Sequence, residues 1–183
     1  MNMQNKKMNF FSKSEFAVLA YLARHREELF GREIAKKARI SIGAANNALN
    51  SLLKKGFINR TKRGANFFYS LEETQIIKNF RILLTLFEIN PMVNSLKPIC
   101  DKIVLYGSCA SGDDVQESDV DLVILTRVRE QVRLIIKDFS NRYDRKLQAT
   151  IITSSEWLEY KAKNSSFYNN VNKGLVLWRR SNA

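Results

Sequence analysis

The most chemically informative stretch of the chain is residues 104–125, VLYGSCASGDDVQESDVDLVIL. Its apolar ends predict two strands, with Gly107-Ser108 closing the first and Ser118-Asp119-Val120-Asp121 opening the second. Asp119 and Asp121 are two residues apart, so on a strand both project to one face. Paired hard carboxylates of this kind suit Mg2+, which in turn bridges the oxygens of a triphosphate. Gly107 lets the backbone come close to phosphate, and Ser108 offers an amide and a hydroxyl. Transfer at such a site needs positioning and neutralisation of developing charge more than covalent chemistry. Asp113, Asp114 and Glu117 in the intervening loop read as a solvated turn, or as outer support for a cation.

The elements that must position these residues alternate strand and helix. Strands are expected at 102–106, 121–126, 146–153 and 175–178, with helices at 130–141 and 156–163. This is an α/β pattern with a small mixed sheet. The strand at 146–153 presents Gln148 and Thr150 in its polar phase, and no acid. Glu156, beyond that strand's end, reads as an exposed residue of the following helix.

The first half reads helix, helix, helix, hairpin. Ser12 and Glu15 have capping-box spacing ahead of Phe16, Leu19, Leu22 and Ala23. A short helix follows Gly31, and Ser41 is a good N-cap for a third. Ile42, Ala45, Leu49, Leu52 and Leu53 form that helix's inward stripe. Gly43, Ala44, Asn46, Asn47 and Asn50 then face outward, where an Asn side chain can pair with adenine N6/N7 in a major groove. Two short strands around 62–66 put Arg60, Lys62 and Arg63 within reach of phosphates or a minor groove. A longer helix over 72–90 carries an apolar face of Ile76, Ile77, Phe80, Leu83, Leu84 and Phe87, which serves either to seat the two modules or to pair with a second copy. The only two prolines, Pro91 and Pro98, bracket the expected domain boundary.

Charge separates the halves. Residues 1–90 carry 16 Lys and Arg against 7 acids, and residues 91–183 carry 14 against 11. The basic excess points to a polyanionic partner for the first module. With 2 cysteines and 1 histidine, a disulfide scaffold and the usual structural zinc sites are excluded. His25 would have to serve alone in any Ser-His-Asp triad. The apolar runs are too short to span a membrane, and 1–7 lack the core of a signal peptide. The expectation is a reduced, soluble, cytoplasmic protein.

The string GREIAKKARISIGAANNALNSLLKKGFINR resembles the winged helix-turn-helix domains of microbial transcription regulators. The GS-x10-DxD order of Gly107, Ser108, Asp119 and Asp121 resembles the minimal nucleotidyltransferase family, of the polymerase-β type. The closing NSSFYNNVNKGLVLW is similar to the last helix and strand of such chains. The resemblances imply a two-domain α+β protein: a winged helix at 10–71, a linker helix at 72–97 and a nucleotidyltransferase-like domain at 98–180. They imply Gly107 and Ser108 on the nucleotide phosphates, and Asp119 and Asp121 as catalytic metal ligands. Mg2+, with ATP or another nucleoside triphosphate, would be the cofactors, and double-stranded DNA and a HEPN-type toxin the partners, with homodimerisation a further expectation. Active members carry a third carboxylate on the next central strand, where this chain has Gln148 and Thr150. Two readings therefore stay open: a regulator that transfers AMP to a partner, and a non-catalytic regulator whose second domain senses nucleotide or binds protein.

Overall fold

The computed structural model describes residues 10–163 and 165–181; residues 1–9, among them the stretch read for a signal peptide, 164 and 182–183 lie outside the described residues. The chain divides into two compact units, 1–77 and 78–183.

In the first unit, α1 (Lys13–Ala23) is followed by β1 (Leu29–Phe30), α2 (Gly31–Lys37), α3 (Ile42–Lys54), β2 (Ile58–Arg63) and β3 (Asn66–Leu71). The Ser12/Glu15 capping box of α1 forms as expected, and Ser41 caps α3 through the Ala44 amide. Val18, Leu19, Leu22, Ile34, Leu49, Leu52 and Ile58 make a fully buried core. The three strands pair antiparallel in the order β1-β3-β2, so β2 and β3 form a wing whose two-residue tip turns at Gly64, φ 61°. This is the winged-helix arrangement. Two inward assignments are corrected. Ile42 is 55% exposed and Phe16 43% exposed, because each sits in its helix's first turn, ahead of the stripe that meets the core.

The second unit is built on a four-stranded mixed sheet in the order β6-β5-β4-β7. Its strands are β4 (Lys102–Tyr106), β5 (Val120–Leu125), β6 (Leu147–Ile152) and β7 (Leu175–Arg179). Only the β5–β6 pair is parallel, and α6 (Arg129–Ser140) makes the crossover that this requires. Ile103, Leu105, Leu122 and Ile124 pack one sheet face against α4 (Gln75–Leu96) and α6. Val104, Val123 and Ile152 on the opposite face pack with Trp157 of α7 (Ser154–Ala162) and with Phe167 and Val171 of α8 (Ser166–Asn172).

The long helix departs most from expectation. It starts at Gln75 and runs through Pro91 to Leu96, past the end at 90 read from its periodicity and close to the 72–97 span implied by the resemblance. Pro91 forfeits one backbone bond, to the Phe87 carbonyl, and both residues are exposed. The division between the two units falls at 77/78, within the helix, and ahead of the interval between Pro91 and Pro98 where the boundary was expected. Its buried residues include Ile77, Phe80, Ile89, Met92, Val93 and Leu96, but also Arg81 and Thr85. Ile76, Leu83 and Phe87, expected on the apolar contact face, are exposed.

Candidate functional site

The strand β4 ends at Tyr106, and the chain turns at Gly107 with φ 71° into a one-turn helix, α5 (Ser108–Ser111). That left-handed φ favours glycine. A Cβ at Gly107 would also lie 2.7 Å from Asp121 Oδ2, so a larger residue would displace that carboxylate. The turn after β4 and the acid on β5 therefore lie close together. Tyr106 and Asp121 are directly paired across β4 and β5, and Asp121 is paired with Gln148 on β6.

Gly107 and Asp121 line one cavity of about 470 Å³ with Tyr106, Ala110, Ser111, Asn170, Lys173 and Gly174. Ser108 opens α5 directly after Gly107. Asp119 precedes β5, where its Oδ2 accepts from Lys146 Nζ at 3.2 Å and from the Gln148 amide. Burial and the neighbouring Asp119 push the Asp121 carboxyl above its ordinary range. The bonds from Gln148 and Lys146 hold Asp119 below its own. The two acids are thus shifted in opposite directions by their surroundings.

Lys173, Asn170 and Gly174 escaped the sequence reading. Their signal was faint: a Lys-Gly pair between the closing helix and strand. Glu156, read as an exposed residue of the helix after β6, completes the capping box of α7 with the N-cap Thr153 and pairs with Arg129. Among the described residues there is no group of three or more His, Cys, Asp or Glu side chains that could hold a metal.

Behind the acids lies a buried network that the sequence reading treated as solvated loop. The Arg145 side chain is 2% exposed and that of Asp114 0%, with 3.1 Å between Nη2 and Oδ2. Arg145 also donates to the Ser118 carbonyl at 3.0 Å, to Thr85 Oγ1 at 3.3 Å and to Cys109 Sγ at 3.1 Å. The Cys109 thiol in turn donates to the Asp119 carbonyl at 3.3 Å. The backbone on both sides of the Ser118–Asp119 peptide is thus held from the core. Asp113 remains exposed and pairs with Lys78.

In the first unit, Asn46, Asn47 and Asn50 lie exposed along α3 as expected, and Ala44 is half-buried. Gly43 faces open space: a Cβ there would meet nothing within 4 Å. Arg60 stacks on Phe67 at 4.6 Å and Arg63 on Phe68 at 5.4 Å, so the wing's cations rest on its own aromatic rings. Arg63 also pairs with Glu28, while Lys62 projects exposed.

A mixed sheet with a glycine turn set against an acid on the next strand, joined to a helix-and-wing unit, defines the class: a winged-helix domain coupled to a nucleotidyltransferase-fold domain. The chain belongs to the polymerase beta nucleotidyltransferase family, whose model matches residues 88–183, and the MarR family model matches residues 11–66. Two solved structures are similar. MepR from S. aureus, in complex with DNA, is 22% identical over 49% of this chain and 74% of its own, with a TM-score of 0.40. A Sulfolobus solfataricus protein assigned as a nucleotidyltransferase is 17% identical over 60% of this chain and 91% of its own, with a TM-score of 0.35. No curated protein matches the chain. No described helix is long and apolar enough to cross a membrane.

Proposed function

We propose that this chain is a DNA-binding regulator whose nucleotidyltransferase-fold unit binds a magnesium nucleoside triphosphate as a ligand. The observation that carries the nucleotide half is the approach of Gly107 to the Asp121 carboxylate on the wall of one cavity. Mg2+ typically binds through one or two carboxylates plus substrate phosphates, so Asp119 and Asp121 suit a single ion. When bound, the ion neutralises phosphate charge and relieves the repulsion that burdens Asp121. Gly107 admits a phosphate close to the backbone, and Lys173 adds a cation to the same cavity.

Ligand binding is favoured over transfer by the residue beside the acids. Moving a nucleotidyl group to a hydroxyl, including that of a HEPN-type toxin, calls for a group that takes the acceptor's proton. β6 offers Gln148 and Thr150 at those positions, and neither is a base at neutral pH. Equilibrium binding and labelled-ATP transfer separate the two readings. We expect Mg-dependent ATP binding that is lost in Asp119→Ala/Asp121→Ala, with no label moved to protein. Label transfer by the wild type would overturn the ligand reading, and equal binding by the double variant would overturn the site.

The DNA half is supported by the exposed Asn46, Asn47 and Asn50, the basic wing, and the charge excess of residues 1–90. In a helix-turn-helix the second helix enters the major groove and its N-terminal residues meet base edges. Fluorescence anisotropy with duplex DNA should give an affinity that falls steeply with salt, and Lys62→Ala/Arg63→Ala should flatten that slope. A salt-independent affinity would refute it.

A further inference from the structure

On the face of the sheet that carries the nucleotide site, the opposite end of the strands holds a second cavity. It measures about 450 Å³ and is lined by Lys102, Arg127, Ser154, Arg179 and Arg180, with Asp101 its one acid. Lys102 and Tyr106 are the two ends of β4, so about 13 Å of strand separates this cavity from the first.

The charges there are unbalanced in a way that folding does not require. Lys102 and Arg179 are direct partners across the antiparallel β4–β7 pair. Like charges directly opposite one another destabilise a sheet. Arg127, just beyond β5, adds a third cation to the lining. Asp101 is already engaged, 3.5 Å from Arg180. Among the described residues none of Lys102, Arg127 and Arg179 makes an ion pair with the protein. The Lys102 ammonium lies over the Trp157 ring at 5.5 Å, and burial and Arg179 push its pKa down from the ordinary lysine range.

We propose that Lys102, Arg127 and Arg179 form a second anion site, which binds the phosphate groups of a small oligophosphate ligand independently of the Asp119/Asp121 site. Guanidinium forks grip phosphate oxygens in pairs, and the ammonium acts as a point charge. A bound anion relieves the Lys102–Arg179 repulsion, which favours binding. Ser154, at the start of α7, adds a hydroxyl to the lining. The cavity lies within the range typical of small-molecule sites and exceeds what a lone phosphate would fill.

Inorganic pyrophosphate is the probe, titrated into the full chain by calorimetry in EDTA, which keeps divalent cations from the acid pair. The expected result is one equivalent bound. Affinity should drop at least tenfold in Arg127→Ala/Arg179→Ala and stay unchanged in Asp119→Ala/Asp121→Ala. Lys36→Ala/Lys37→Ala, a change among the cations of the first unit, should also leave it unchanged. Because Arg127 and Arg179 are exposed, the double variant should fold. Arg179→Thr should match or exceed the wild-type Tm in ligand-free buffer and lose the rise in Tm that pyrophosphate gives the wild type. Absence of binding by the wild type, or equal binding by Arg127→Ala/Arg179→Ala, would overturn the proposal. So would an oligonucleotide that displaces pyrophosphate from this site at far lower concentration than free nucleotides do, since that would make it a nucleic-acid surface. None of these outcomes bears on the magnesium site, which has its own test.

Discussion

Gln148 stands in register beside Asp121, and its side-chain amide donates to the carboxylate of Asp119. An amide therefore occupies the strand position from which a third acid would complete a two-metal cluster. Two-metal sites need enough carboxylate to offset both ions. Gln148→Asp should raise the number of Mn2+ ions bound in the presence of nucleotide from one to two, counted by electron paramagnetic resonance. An unchanged count would mean that more than this side chain limits the site.

Gly107 tests the convergence of turn and acid. Gly107→Ala forces a Cβ into Asp121 Oδ2 at a backbone φ that favours glycine. The strain should cost about 1–3 kcal/mol of stability. Nucleotide binding should be lost while the circular dichroism of the folded state persists. Full binding by this variant would show that the turn has no part in the site.

Arg145 and Asp114 are buried together, and Arg145 also lies 3.8 Å from Glu88, so removing Arg145 takes from Asp114 a cation 3.1 Å away. Arg145→Met should cost about 3–5 kcal/mol in urea unfolding. Arg145→Met/Asp114→Leu should recover much of that loss, because the buried carboxylate is removed along with its guanidinium. Lost nucleotide affinity in that double variant would separate the network's positioning of Ser118 and Asp119 from its effect on stability.

Glu15 makes the first unit sensitive to acid. Burial alone would push its carboxyl up. The Lys55 ammonium at 2.6 Å, together with bonds from Ser12 and Ser51, instead holds it at about 2, against 4.5 for a free side chain. Because the folded-state value is the lower one, this stabilisation is fully present above pH 4.5 and is lost as pH falls towards 2. Its size is on the order of 2 kcal/mol after discounting for the partly exposed Lys55. Thermal melts across that window should show the loss in the wild type and a much smaller one in Glu15→Gln.

Ile42 and Leu49 share one helix and should respond in opposite ways. Leu49 is fully buried, and Leu49→Ala should cost about 2–5 kcal/mol. Ile42 is exposed, and Ile42→Ala should change stability by no more than about 0.5 kcal/mol. If Ile42 meets a thymine methyl in the groove, the same variant loses affinity for A·T-rich duplex while keeping its salt slope. Unchanged affinity for such duplexes would remove Ile42 from the reading face.

The residues themselves determined a good deal. Alternating and helical periodicities located β4 to the residue and most other elements to within one or two, since such patterns follow from which side of an element meets water. Caps at Ser12 and Ser41 were readable because their bonds are local. The two-residue offset of Asp119 and Asp121 was legible as well, although only Asp121 lies within β5 and Asp119 stands just ahead of it. Tertiary structure alone decided the rest. Pro91 could stay in a helix because packing on either side outweighs one lost bond. Asp114 became a core residue only because Arg145, 31 positions later, folds back onto it. Lys102 and Arg179 came to face each other through a strand pairing that joins residues 77 positions apart. Long-range contacts of this kind leave no periodic trace in a chain, so the groups that crowd, pair or lie unbalanced in charge emerge only once the sheet is assembled.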